Sequence, residues 1–211
     1  MFKEFCEFFN IPEIVENKYE MRENIRNLSN TVSGFNELQS NYQGVSFAQG
    51  LYRLHSYASI DKWNKIVSEA FPEYKGRIEC FGYDWLGRQF SLDKSRVVDG
   101  EEQILMFEPG TGEVLEIPCN FMQFHNEEIP DYHDACLASE FFNDWMRINN
   151  TTLDQQECAG YKVLLFLSGA DIVENLEKSD MEVYWSICAQ LINKTRHLPE
   201  GTKIKRIEIS N

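Results

Sequence analysis

Positive charge is what this sequence has little of. Lys and Arg number 20 against 34 Asp and Glu in 211 residues, a formal net charge of −14 at pH 7. Non-specific binding to nucleic acid or to an anionic membrane surface needs a surplus of bases, so this balance argues against both. Long apolar runs are missing as well. The longest aliphatic-aromatic stretch, Val163-Leu-Leu-Phe-Leu167, has five residues against the ~20 that cross a bilayer. The first residues, Met1-Phe-Lys-Glu-Phe-Cys6, mix acids with apolar groups and have no continuous apolar core, so no signal peptide is expected. The six cysteines (6, 80, 119, 136, 158, 188) form no CxxC pair, and buried free thiols in a reducing cytoplasm are the expectation. His133 and Cys136 stand one helical turn apart with His125 upstream, but no second ligand pair accompanies them, so neither a metal nor a cofactor is expected. No Cys and His pair carries a local catalytic signature. Gly110-Thr-Gly112 lacks the Gly-Lys-Ser/Thr and the following helix of a phosphate loop and reads as a turn. With no catalytic constellation in view, a protein that is not an enzyme is expected.

What is present is a core. Hydrophobic residues make up 43% and aromatics 13%, with fifteen Phe, far too many for a disordered acidic chain. Residues 2–9 and 13–28 read as helices, and 28–49 as loop. Gly50–Ser56 reads as a strand. Ser59 then caps a helix on which Ile60, Trp63, Ile66, Val67, Ala70 and Phe71 recur at helical spacing before Pro72. From Arg77 the period drops to two: 77–83 and 88–93 read as strands joined at Asp84-Trp-Leu-Gly87, and 103–108 and 113–118 flank the hairpin turn Pro109-Gly-Thr-Gly112. Asn120 caps a short helix, 131–148 reads as one amphipathic helix, and 162–167 reads as a buried strand. Ser179 with Glu182 makes a capping box for a helix through Ile192, and 203–209 reads as a last strand. Strands gathered in the middle with helices around them indicate α+β, a central mostly antiparallel sheet covered by helices.

The acidic surplus is not evenly spread. Between residues 108 and 182 there are 16 acids and three bases, a net of −13. Such a stretch serves either as a solvated face that keeps the chain soluble or as a docking surface for a cationic partner. Three local units carry the second possibility. In Tyr83-Asp-Trp-Leu-Gly-Arg88, Asp84 and Arg88 face each other across a turn beside Trp85. They either pin the hairpin as a structural pair or form an exposed recognition loop, since Trp, Tyr and Arg are enriched at binding hot spots. Glu127, Glu128, Asp131 and Asp134 enter and start a helix, where acids are favoured by the helix dipole. Asp171, Glu174, Glu177 and Asp180 lie in the connection before the last long helix. Together these sets can present a surface that mimics a polyanion.

Several segments resemble a known family. Gly50-Leu-Tyr-Arg-Leu-His55, the Trp63 helix ending at Phe71-Pro72, and Cys80-Phe-Gly-Tyr-Asp-Trp-Leu-Gly-Arg-Gln-Phe90 are similar to the GAD-like domain of bacterial immunity proteins. Phe107-Glu-Pro-Gly-Thr-Gly-Glu-Val-Leu115, Phe124-His-Asn-Glu-Glu128, Gly160-Tyr-Lys-Val163 and Met181-Glu-Val-Tyr-Trp185 resemble the companion C-terminal domain. The resemblance implies a GAD-like part over 1–118 and an immunity-type part over 119–211, packed as one compact unit. It implies a cytoplasmic immunity protein of type VI secretion that binds and neutralises a cognate toxin, a nuclease with a basic cleft, without itself binding nucleic acid or membrane. The alternative is a small-molecule-binding or regulatory module with its pocket near Asp84, Trp85 and Arg88. The family carries over no catalytic residues.

Overall fold

The middle of the chain alternates with a period of two, and it folds as a meander. In the computed structural model, which describes residues 1–12, 32–199 and 201–202, six strands lie in sequential order: β1 (Ser46–Phe47), β2 (Tyr52–Leu54), β3 (Ile78–Asp84), β4 (Gln89–Val98), β5 (Glu101–Glu108) and β6 (Glu113–Asn120). Every neighbouring pair is antiparallel, with Tyr83 opposite Gln89 and Phe90 opposite Met106. β3 is buried at all of its positions, as expected for a strand covered on both faces. A separate antiparallel ribbon joins β7 (Glu157–Tyr161) to β8 (Leu176–Asp180).

Around these lie α1 (Lys3–Phe9), α2 (Phe35–Tyr42), α3 (Tyr57–Ala70), the short α4 (Phe121–Gln123), α5 (Ile129–Leu137), α6 (Ser139–Asn149) and α7 (Met181–Thr195). On α3, Ile60, Trp63, Val67 and Ala70 are buried, the stripe that its sequence spacing predicts. Two aromatic clusters fill the interior. In one, Phe81 and Phe90 from the sheet meet Phe121 and Phe124 at centroid distances of 5.0–5.6 Å. In the other, Trp63 of α3 meets Trp185, and Phe71, just past the end of α3, meets both Phe107 and Trp185. The fold is therefore α+β, as expected.

Several boundaries differ from the expectation. The stretch 131–148 is two helices, because Ala138 takes a left-handed conformation (φ 49°, ψ 49°) and breaks it. Residues 162–167 are not a strand: the ribbon strand is Glu157–Tyr161, and Leu165–Leu167 form a single 3-10 turn with Val163 on the surface. An apolar run of this length fits either state until its neighbours are known. The cap of α7 is Asp180, whose carboxylate accepts the Val183 N–H at 2.9 Å, one residue beyond the expected Ser179. The cap position of α3 is Ser56 rather than Ser59. Within the expected loop, α2 forms by burying Phe35 and Leu38 one turn apart. The helix expected at 13–28 and the strand expected at 203–209 lie outside the described residues. No helix among the described residues is long and apolar enough to cross a membrane.

Candidate functional site

The turn after β3 was a candidate recognition loop, and the structure places it in the interior. Asp84 and Trp85 are fully buried and Arg88 is 6% exposed, so the exposed reading of this loop is overturned in favour of a structural pair. The Arg88 Nε donates to Asp84 Oδ2 at 2.6 Å, and Asp84 Oδ1 accepts the backbone N–H groups of Leu86 and Arg88 at 3.0 Å each. Gly87 has φ +78°, and a Cβ there would come within 3.3 Å of Cys158; glycine therefore meets both the conformation and the close approach.

This turn joins the sheet to the C-terminal half. The Trp85 indole donates to the Leu137 carbonyl at 2.9 Å, Arg88 donates to the Cys136 carbonyl at 3.1 Å, and the Trp185 indole donates to the Gly87 carbonyl at 2.8 Å. On the ribbon, Ala159 N–H donates to the Trp85 carbonyl at 2.8 Å, and the Tyr83 hydroxyl donates to the Gln155 carbonyl at 2.8 Å. Arg53, fully buried, adds a bond to the Glu157 carbonyl at 2.9 Å. The carboxylate, guanidinium and indole of this turn are thus all engaged by protein groups.

A third charged group, missed in the sequence, completes the buried node. Glu108 Oε2 lies 3.6 Å from Arg88 Nε, and its Oε1 accepts the Gly110 N–H at 3.1 Å. Two carboxylates thus share one guanidinium in a desolvated site. Burial pushes the Glu108 carboxyl up to about 7, against the pull of Arg88. Burial also raises Asp84, with Arg88 opposing. For Arg88, burial works against the charge, and Asp84 and Glu108 outweigh it, so the guanidinium ends above its ordinary value. Nothing in local spacing marks Glu108 as a partner, since it stands twenty residues from Arg88 and reaches it only through strand pairing.

Buried histidines are equally structural. His125 Nδ1 lies 2.8 Å from the Phe121 carbonyl and therefore donates to it, leaving Nε2 to accept from the Tyr52 hydroxyl at 2.9 Å. Burial lowers His125 to about 3 and His55 to about 4. All six cysteines are buried free thiols, and burial pushes Cys119, Cys136 and Cys188 up to about 12, which disfavours a nucleophilic thiolate. No group of three or more His, Cys, Asp or Glu among the described residues is arranged to hold a metal ion.

The acidic sets, by contrast, face outward. Of the 16 acids between 108 and 182, only Glu108 is buried; Glu128 and Glu157 are half-buried and the remaining thirteen are exposed. The three bases are occupied within the same stretch. Arg147 pairs with Asp144 at 2.9 Å, Lys178 pairs with Glu157 at 2.7 Å, and Lys162 Nζ donates to the Glu174 carbonyl at 2.8 Å. Glu127 and Glu128 sit in a π turn (Phe124–Glu128), and Asp131 and Asp134 lie on α5. Asp134 also steadies the start of α6 by accepting the Glu140 N–H at 2.9 Å. Asp171 and Glu174 lie in the loop before β8, whereas Glu177 and Asp180 stand on β8 itself, a correction to their expected place in a connection. Among the described residues no ion pair or hydrogen bond ties the 127–134 set to the 171–177 set; each stands on its own support.

Residues 126–192 match the model of a family described as T6SS immunity protein Tdi1, C-terminal. This match lies inside the C-terminal of the two parts that the sequence resembles, and it contains both outward-facing acidic sets. Among solved structures the chain is similar to Atu4351 from Agrobacterium tumefaciens, at 17% identity and a TM-score of 0.60, over 90% of this chain and 89% of that one; at this identity the likeness shows the shared fold. The search of curated proteins finds no match.

Proposed function

We propose that this chain is a cytoplasmic immunity protein of type VI secretion, which binds a cognate toxin, a nuclease, and blocks it through an acidic surface. The observation that carries this reading is a coincidence of location: the segment that matches the immunity family is also the segment whose exposed carboxylates outnumber its bases, which are already paired or hydrogen-bonded. A nuclease holds a polyanion in a basic cleft. A folded protein that presents carboxylates at fixed positions can occupy that cleft without being a substrate. Complementary charge raises encounter rates toward ~10⁸–10⁹ M⁻¹s⁻¹ at low salt. Charge alone would attract any basic protein, so discrimination between toxins rests on shape and apolar contacts. The domain division at 118/119 and the absence of catalysis belong to the same proposal. The joint built by Trp85, Arg88 and Trp185 supports one compact unit.

The test is charge reversal. Glu127, Glu128, Glu174 and Glu177 changed together to Lys should slow association with a catalytically inactive form of the toxin encoded beside this chain's gene by about tenfold or more at low salt, and should flatten the salt dependence of the on-rate. An unchanged on-rate with both proteins folded would remove the acidic surface from the mechanism. Continued killing when this chain and the active toxin are co-expressed, with no stable complex, would remove the immunity function itself.

A further inference from the structure

The loop between β7 and β8 exposes apolar side chains on a rigid support. Val163 is 49% exposed and Ile172 is 48% exposed. Exposed apolar residues scattered singly are ordinary, but the backbones of these two are both hydrogen-bonded to one residue, Asn175. The Asn175 side chain accepts the Val163 N–H at 3.1 Å and donates to both the Val163 and the Ala170 carbonyls at 2.8 Å. Its own backbone N–H donates to the Ile172 carbonyl at 3.0 Å, and its carbonyl accepts the Lys162 N–H at 2.8 Å. The Tyr161 hydroxyl donates to Asp171 Oδ1 at 2.6 Å, and Lys162 Nζ donates to the Glu174 carbonyl. Asp171, Glu174 and Glu177, which are exposed, lie in the same segment between Val163 and the middle of β8.

We infer that this loop is the centre of the toxin interface: Val163 and Ile172 enter an apolar spot on the partner, and the exposed carboxylates of the same segment meet Lys and Arg beside it. The inference rests on the immunity reading and locates it. Charge complementarity selects the partner, because a second copy of this chain would bring the same carboxylates face to face, whereas a basic protein surface meets them with opposite charge. Pre-ordering the loop before contact lowers the conformational cost of binding, which is what the Asn175 bonding achieves. The energetic division follows from the chemistry: the carboxylates govern how fast the partners meet, and the apolar centre governs how long they stay.

Binding kinetics of the full chain against the same inactive toxin test this. Val163→Ala with Ile172→Ala should weaken affinity by about tenfold or more, almost wholly through faster dissociation. Asn175→Ala should act in the same direction. A control pair at exposed positions of β4, Val97→Ala with Val98→Ala, should stay within about twofold of the parent chain. Because both loop side chains are exposed, the double variant should keep its melting temperature. Amide hydrogen exchange on the unaltered chain gives an independent reading, with protection of 163–175 expected on complex formation. A folded double variant that dissociates at the parent rate, or no protection of the loop in the complex, overturns the loop as the centre while leaving the immunity function standing. Failure of the unaltered chain to bind the toxin overturns the immunity reading and the loop assignment together.

Discussion

At Glu108 a single residue sets a pH dependence that can be isolated. Its carboxyl ordinarily titrates near 4.5 and is raised to about 7 by burial. Between those values the folded chain holds a proton that the unfolded chain has released, so this residue's contribution to stability falls as pH rises from about 4.5 to about 7 and then levels off. The buried, lowered His55 and His125 have the opposite sign: they destabilise the fold as pH drops below about 6.5, where the unfolded imidazoles charge and the folded ones resist. The two effects overlap in the parent protein. Glu108→Gln separates them. Urea denaturation should show the variant more stable than the parent at pH 8, by on the order of 3 kcal/mol from the size of the shift, with most of that gain gone at pH 5. An equal gain at both pH values would mean that Glu108 is ionised throughout. The pairing of Asp84 with Arg88 was legible in the sequence because both lie on one turn. Glu108 was not, because it reaches Arg88 only through the register of β4 against β5.

The strongest periodic elements were legible: the α3 stripe, the β5–β6 hairpin, and the cap at Asn120, whose side chain accepts the Gln123 N–H at 2.9 Å while Gln123 Oε1 accepts the Asn120 N–H at 3.1 Å. Failures came where competing local signals were nearly balanced. The 131–148 pattern reads as one helix because alanine is a good helix former, yet Ala138 is where α5 ends and α6 begins, its N–H returning to the Asp134 carbonyl at 2.8 Å. The left-handed conformation costs an alanine about 1 kcal/mol that glycine does not incur. Ala138→Gly should therefore raise the stability of the chain by about 1 kcal/mol in urea denaturation, whereas a loss would mean that the helix break is held by the Ala138 methyl rather than tolerated despite it. The expected strand at 162–167 failed for a related reason. Leu164 is buried, Leu165–Leu167 form a 3-10 turn and Val163 is exposed, so hydrophobicity there marks exposure as well as burial.

For the whole molecule, the joint at Trp85 decides how the parts depend on one another. The family-matched residues 126–192 receive the Trp85 indole, the Arg88 guanidinium and the Arg53 guanidinium from outside their own span. They in turn send the Trp185 indole to Gly87. A fragment of residues 126–192 made alone should lack cooperative thermal unfolding and show poorly dispersed amide signals, while the full chain unfolds cooperatively with dispersed signals. A cooperative fragment would make the joint a contact between self-sufficient units. Removing the Trp85 ring from the full chain should be correspondingly costly, since burying a large aromatic is worth about 3–5 kcal/mol against alanine.

By itself the sequence determined the α+β class, most of the strands and helices, the lack of bases, and the concentration of negative charge between 108 and 182, because composition and short-range periodicity are local properties. It also carried the resemblance whose C-terminal part the family match bears out. Only the tertiary structure decided which charges face water. The turn at 83–88 has the residue types of a recognition loop, and its burial depends on Cys136, Leu137, Cys158 and Trp185 closing over it from 48 to 98 residues away. The reverse holds at Val163 and Ile172, two apolar residues that the fold leaves on the surface. Solvent exposure is a property of what packs over a segment, and for this chain the covering residues lie too far along the sequence for any local pattern to reveal them.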